Sequence, residues 1–588
     1  MSGPCPRARG LRYDVRMPRT RGRGSNLVPI AGQLRTYKRS WLRGDLIAGV
    51  TVAALIVPKN LGYAGIAGIP LQNGLYAAAA GAIVYAIFGT SRQISMGPSS
   101  GLAAVAASAV LAAGITGEQD VASFVAGITL ASGVLFLLLA VLKMGWIAQF
   151  LSRAVVTGFL FGAAIDVVIG ELPKLTGTEV TGSNPLQELW SWIGSLGDAH
   201  RTTVLVGVIS LLVVFGLRAI APPVPGALVL VVGGLVAAAV LDLGAKGVAL
   251  VGDVPRGLPA PEVPDLAQLW EHAGTVAVAA VALVLIGFSQ TAGDARTFAA
   301  KHRYQIDINQ ESVAQSLANI TAGLFRGMPV STSLSASSLN DRSGAKTGVA
   351  SLTSGVTVLL TLLFLAPLFS NLPKAVLGAL IIEAVVMGMM DLPEMRRLFR
   401  VKKVDFWIAV VALLGTLVFG VLAGVVIGIG LSLVWLIAVA THPEMPVLGR
   451  ERGTQVFREV DEHPEDEVLP SVAVLRFDGG LFFATADALE DRLRDVIQSE
   501  SALTGVVIDC EGINFIDSQG AATMADLVTL ARDAGLDLRI TRLKPGPRAV
   551  LERDGVIALV GADHIHGNVH RAVQAEQDAS ERGRDDAG

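Results

Sequence analysis

The sequence predicts a polytopic α-helical membrane protein followed by a small α/β domain, and three observations carry that prediction. The 588-residue chain is 52% hydrophobic and only 16% charged, a balance foreign to soluble multidomain enzymes. Apolar runs near the roughly 20 residues that a bilayer requires recur from residue 46 to residue 441. Residues 444–588, by contrast, are dense in Asp, Glu and Arg, and there short apolar runs alternate with helical spacing. The net charge of -3 gives no reason to expect a nucleic-acid partner.

Residues 1–45 carry Arg7, Arg9, Arg12, Arg16, Arg19, Arg21, Arg23, Arg35, Lys38, Arg39 and Arg43 against Asp14 and Asp45. A transit peptide, a nucleic-acid arm and a cytoplasmic tail all fit such a stretch. The tail is favoured, because the basic run stops just before the first apolar span. No short apolar core with a small-residue cleavage site precedes Leu46, which argues against a signal peptide. Cys5 and Cys510 read as free thiols in a reducing compartment.

The expected spans are 46–68, 71–89, 95–114, 121–142, 152–170, 203–220, 225–243, 274–293, 308–325, 329–341, 347–366, 373–391, 404–421 and 422–441. Basic clusters at Arg35–Arg43 and Arg396–Lys403 fit one side of the membrane, so an even number of spans returns the carboxyl end to the cytoplasm. The abundant glycines suit close helix packing, since hydrophobicity does not drive helices together inside lipid.

Two of these segments are short and echo each other: Met96-Gly97-Pro98-Ser99-Ser100 and Met328-Pro329-Val330-Ser331-Thr332-Ser333. Irregular backbone at membrane depth survives only where protein buries it or where it lines a cavity. A proline in the first helical turn wastes no hydrogen bond, and the free N–H groups with the positive dipole end point into the gap. Two half-helices in corresponding places of two halves make a midplane anion site. The binding candidates are Ser95, Gly97, Ser99 and Ser100 on the first, and Ser331, Thr332, Ser333 and Ser335 on the second. Tyr63, on one helical face with Asn60, can close the site from the first span. Helix packing is the competing explanation for each small hydroxyl residue. Such a site replaces hydration by fixed dipoles, so no catalytic residue, cofactor or metal is expected and the chain is not read as an enzyme.

The run Val57-Pro58-Lys59-Asn60-Leu61-Gly62-Tyr63-Ala64-Gly65-Ile66-Ala67-Gly68-Ile69-Pro70, with Asn73-Gly74-Leu75-Tyr76, resembles the signature of the SulP-type (sulfate permease) anion transporters. Ile94-Ser95-Met96-Gly97-Pro98, Tyr304-Gln305-Ile306-Asp307-Ile308-Asn309-Gln310-Glu311 and Gly344-Ala345-Lys346-Thr347 extend the match. The resemblance implies about 14 transmembrane helices in two inverted 7-helix repeats, divided into core and gate domains, and a homodimer. It places the anion between the third and tenth spans, the two half-helices already identified. The chain departs from the family in two places. Gln290 stands where many relatives have Glu in the eighth span, and Ala336 where many animal relatives have Arg. Asp294, four residues beyond Gln290, can take over a coupling role, with an interfacial position beside Arg296 as the alternative. Asp166 and Glu383 also qualify, because ionisable groups at membrane depth are costly. Protonated, they would carry a proton; ionised, they would help bind sodium.

Past Thr441 a linker is expected over 442–468, an α/β domain over 469–575 and a disordered tail over 576–588. Val472–Phe477 and Val506–Asp509 read as strands, Ala484–Gln498 and Ala521–Ala534 as helices, and Leu536–Leu543 as a further strand. This pattern, with Asp517-Ser518-Gln519-Gly520 entering a helix, resembles the STAS domain. The resemblance makes Ser518 a possible regulatory phosphosite and the domain a possible docking point for a cytoplasmic protein. An N-cap serine without regulation is the plainer reading. His564, His566 and His570 lack an acidic or thiol ligand set and read as exposed helix and tail rather than metal site.

The resulting expectation is secondary active transport of a small anion, sulfate first, coupled to H+ or Na+, across the cytoplasmic membrane with both termini in the cytoplasm. Bicarbonate or dicarboxylate transport and an anion sensor signalling through the STAS domain are the alternatives. A channel or a nucleobase carrier fits less well.

Overall fold

The computed structural model describes residues 28–144, 152–182, 184–221, 224–252, 254–258, 260–499 and 502–585, so the basic segment 1–27 with Cys5 lies outside the described residues. The chain divides into two units at Ser432–Leu433, within the last apolar helix, which is described with the first. Order begins earlier than expected: a short helix spans Pro29–Arg35 and the first span starts at Arg39. The reason is Asp45, fully buried, which accepts from the backbone N–H of Lys346 at 2.7 Å and from the Thr347 hydroxyl at 2.7 Å. The residue expected to end a solvated tail is a fastener inside the fold.

In the first unit the spans run α1 Arg39–Ile66, α2 Leu71–Phe88, β1 Met96–Pro98 with α3 Ser100–Ala113, α4 Glu118–Val141, α5 Arg153–Thr176, α6 Arg201–Ile220 and α7 Gly226–Leu241. The second half repeats the order as α8 Ala273–His302, α9 Ile308–Leu324, β2 Val330–Thr332 with α10 Leu334–Arg342, α11 Val349–Leu360, α12 Lys374–Met389, α13 Lys403–Phe419 and α14 Val421–Thr441. Each of the fourteen expected segments is thus met among the described residues. Nine helices there are long and apolar enough to cross a bilayer unaided.

Burial on these helices is inverted relative to a soluble protein. On α6 the exposed face is Leu205, Val208, Ile209 and Leu212, while Thr203, Gly207 and Ser210 are buried. Lipid accepts the apolar face, and small residues let backbones approach. At Gly158 on α5 an added Cβ would sit 2.1 Å from the Ala409 carbonyl oxygen of α13, so no other residue fits that crossing.

Packing sorts the helices into two groups. α9 lies on α4 and α2, α11 on α1 and α2, α8 on α4 and α3, and α10 on α1; separately, α5 packs on α13 and α12, and α12 on α6. The first group is the core and the second the gate. Elements of one half pack chiefly on elements of the other, as interlocked inverted repeats must.

The second unit has a four-stranded sheet, β5 Val472–Arg476, β6 Gly505–Asp509, β7 Asp537–Thr541 and β8 Ile565–His566, in sequential order with all pairs parallel. Helices α15 Ala486–Ser499, α16 Ser518–Asp533 and α17 Pro545–Arg553 cross between the strands. Three expectations are corrected here. The linker 442–468 holds an antiparallel hairpin, β3 Leu448–Arg450 with β4 Phe457–Glu459, and Val447 bridges to Leu475 of the sheet. Of the tail 576–588, expected to be disordered, residues 576–585 continue α18, Val569–Asp585, and the last three lie outside the described residues. Val569, Ala572, Val573 and Glu576 are buried at helical spacing, and Arg539 donates to Glu576 at 3.1 Å. An amphipathic stripe hidden in a polar composition explains the order. His566 belongs to β8, not to exposed helix, and His564 pairs with Asp537 at 2.9 Å. Cys510 is buried, and burial pushes its thiol well above the ordinary range.

Candidate functional site: a cavity between the first span and two half-helices

β1 and β2 pair antiparallel, with Met96 opposite Thr332, Gly97 opposite Ser331 and Pro98 opposite Val330. Each strand runs directly into a half-helix, so the amino ends of α3 and α10 converge on one place. Ser99 caps α3 and accepts from the Leu102 N–H at 3.5 Å; Ser333 caps α10 and accepts from the Ala336 N–H at 3.4 Å. Contrary to the expectation from sequence, the prolines do not start these helices. Pro98 lies within β1 and Pro329 just precedes β2. A residue without an N–H is tolerated at the edge of so short a ladder, and the hydroxyl caps do the helix-starting instead.

Side chains from neighbouring helices hold the strands. On α9, Asn319 accepts from the Val330 N–H and donates to the Val330 carbonyl, both at 3.0 Å, replacing a missing strand neighbour. On α8, Gln290 accepts from Ser331 at 2.5 Å and Asp294 accepts from Thr332 at 2.7 Å. At α2, Gly81 gives β1 its approach: an added Cβ would meet the Met96 carbonyl oxygen at 3.1 Å. Glu311, at the start of α9, accepts from the Tyr85 hydroxyl at 2.5 Å and from the N–H groups of Thr90 and Ser91 at 2.8 and 3.1 Å. The Thr90 hydroxyl completes its shell. That carboxylate ties down the turn leading into β1.

A cavity of about 340 Å³, its open mouth included, lies against these helix ends. Its walls include Tyr63, Ser95, Gly97, Ser333 and Ser335, five of the nine residues expected to bind the anion. Ser99 serves as cap, and Ser100 is buried as the first residue of α3. Ser331 and Thr332 are buried and turn toward Gln290 and Asp294, away from the cavity walls. Lys59, Asn60 and Ala336 also line it. Sequence reasoning quoted Lys59 and Asn60 within a motif without assigning them to the site. An ammonium group within an apolar span was the signal that could have found Lys59. The three carboxylates expected near the coupling ion separate: Asp294 braces β2, Glu383 accepts from Arg218 at 2.8 Å, and Asp166, on α5, is not in the cavity wall.

In the second unit Ser518 is the first residue of α16 and is exposed, while Asp517 is the cap, accepting from the Gly520 N–H at 2.8 Å. The expected N-cap role of Ser518 is therefore filled by its neighbour. Among the described residues no cluster of His, Cys, Asp and Glu is suited to a metal ion.

Interlocked repeats, two half-helices with converging amino ends and a small cavity against them with hydroxyl residues in its wall define a membrane transporter for anions. The sequence comparisons make the assignment particular. The model of the sulfate permease family matches residues 42–412 and that of the STAS domain residues 463–572. The chain belongs to the sulfate permease family: a transporter, not an enzyme. It is 33% identical to "Probable sulfate transporter MT1781" of Mycobacterium tuberculosis over 93% of this chain and 98% of that protein. Identity to the chloroplastic sulfate transporter 4.1 of Arabidopsis thaliana is 30%, over 93% of this chain and 82% of that protein. Among solved structures, the murine Solute Carrier 26 family member A9 anion transporter in its inward-facing state superposes with a TM-score of 0.84 at 22% identity, covering 94% of each chain. The transmembrane domain of the cyanobacterial bicarbonate transporter BicA matches with a TM-score of 0.58 at 21% identity, over 67% of this chain and 98% of that one.

Proposed function

We propose that this protein carries sulfate by secondary active transport through the cavity between α1, β1–α3 and β2–α10, with a coupling ion acting at Asp294. The observation that carries this reading is the convergence of two helix amino ends and the Ser95, Ser333 and Ser335 hydroxyls on one cavity. Dipole ends and hydroxyl donors can replace an oxyanion's hydration without a catalytic group. Asp294 bonds the strand that feeds α10, so its charge state is linked mechanically to the site, as coupling requires. A proton is the simpler coupling ion, because protonation cancels the charge facing Thr332 without building a cation shell. The names of the two sulfate-transporting relatives support sulfate over the other anions. The protein acts as a homodimer in the cytoplasmic membrane with both termini in the cytoplasm, the side to which the basic clusters point. The STAS domain offers Ser518 to a kinase and the surface around it to a cytoplasmic partner.

The test is uptake of labelled sulfate, bicarbonate and succinate by purified protein in liposomes, with and without inward proton and sodium gradients. Saturable accumulation of sulfate driven by the proton gradient is expected. Accumulation of a different anion, or under a sodium gradient alone, would replace that part of the reading. Anion binding without any accumulation would favour a sensor.

A further inference from the structure

The cavity wall from α1 carries two groups that the half-helices do not explain. Lys59 is one of its lining residues. The Glu383 carboxylate, the acidic group within α12, is committed to Arg218 at 2.8 Å. Asn60 is only 2% exposed, and its side-chain Nδ2 has no hydrogen-bond partner among the described residues. Its backbone is pressed against α2: an added Cβ at Gly74 would lie 2.1 Å from the Asn60 carbonyl oxygen. The orphaned amide is thus fixed in position at the cavity. A buried donor left unmade is costly, and one held beside a cation, facing converging helix amino ends, suits an acceptor-rich anion.

The opposite wall carries Ala336, 2% exposed, two residues after Leu334 opens α10. That is the position at which the family resemblance places Arg in many animal relatives.

We propose that Lys59 and Asn60 are the specificity-determining residues of the anion site. The Lys59 ammonium supplies the countercharge, and the Asn60 amide donates to a second oxygen of the same anion. Two donors on consecutive residues of α1, facing the Ser333 and Ser335 hydroxyls across the cavity, select a ligand with several acceptor atoms. Oxyanions such as sulfate are favoured over halides, which present one. This inference rests on the transport reading above and deepens it.

Binding of labelled sulfate to the full-length protein in detergent tests the proposal, with monodisperse elution as the check on folding. Lys59→Gln is expected to weaken binding at least about tenfold, the scale of one charge-assisted hydrogen bond, while Lys59→Arg retains most of the affinity. Adding Ala336→Arg to Lys59→Gln restores part of the loss, which a merely structural lysine would not allow. Asn60→Asp, isosteric but acidic, loses at least about tenfold as well, and serves if Lys59→Gln fails to fold. Chloride competes weakly with sulfate in the wild type. Wild-type affinity in Lys59→Gln or Asn60→Asp, absence of recovery on adding Ala336→Arg, or chloride competing as well as unlabelled sulfate would overturn the inference and leave anion transport standing. Failure of the wild type to bind any of sulfate, bicarbonate or succinate would instead sink the transport reading itself.

Discussion

Replacing Glu311 by Ala should unfasten the turn that feeds the anion site. The carboxylate is 1% exposed and accepts from four donors: the Tyr85 and Thr90 hydroxyls and the N–H groups of Thr90 and Ser91. Two of those donors are backbone groups that cannot turn away. Each donor left unsatisfied in a buried site costs about 1–3 kcal/mol, and a hydrogen bond to a charge is at the upper end. The truncation leaves space for one or two waters to recover part of that, giving a net loss of about 3–5 kcal/mol. Glu311→Gln keeps an oxygen for the Thr90 and Ser91 donors and asks the Tyr85 hydroxyl only to reverse its role. Its cost should be about 1–2 kcal/mol, the loss of charge assistance. The assay is thermal unfolding of the purified protein in detergent, read by the fraction that still elutes monodisperse, alongside sulfate uptake in liposomes. The alanine variant should unfold about 3–5 °C lower and lose uptake, and the glutamine variant should unfold about 1–2 °C lower and keep most of it. An alanine variant unfolding within about 1 °C of wild type would refute the reasoning, since for a chain of this length such a shift corresponds to only about 1 kcal/mol.

Asp294→Asn keeps an oxygen to accept from Thr332 but cannot change charge. It should retain sulfate exchange and lose accumulation, where the wild type can gain up to about tenfold per unit of pH gradient for one coupled proton; undiminished proton-driven accumulation would remove Asp294 from the coupling role. Gly81→Leu would drive a side chain into the Met96 carbonyl oxygen, 3.1 Å from the added Cβ alone, so sulfate binding should be lost even where folded protein is recovered. In the STAS domain, Asp517→Ala removes the cap of α16 and should cost about 1 kcal/mol, whereas Ser518→Ala should leave stability unchanged, both read by thermal unfolding. Equal destabilisation by the two would reassign the cap to Ser518.

Much of the candidate site could be read along the chain. Small hydroxyl residues around an interrupted span carry their meaning locally, and five of the nine binding candidates meet at the cavity. The remainder depends on direction. Ser331 and Thr332 follow Val330 in a short strand, and no local pattern says which neighbour each faces; the packing of α8 turns them to Gln290 and Asp294. Lys59 escaped assignment although its charge within an apolar span was a signal; what it lacks in the sequence is any sign of which neighbours it faces.

The sequence by itself determined the succession of spans, the two interruptions and the α/β character of the carboxyl-terminal domain, because apolar length, strand–helix alternation and caps are written in neighbouring residues. Only the tertiary structure decided which groups share the site and which are fasteners. In lipid both faces of a helix are apolar, so the periodicity that separates inside from outside in water is muted. Partnerships such as Glu311 with Tyr85, 226 residues apart, leave no local trace at all. The helix over Val569–Asp585 shows the same limit in the soluble domain: its inward residues lie mostly before 576, and it carries order on into a segment whose composition reads as tail.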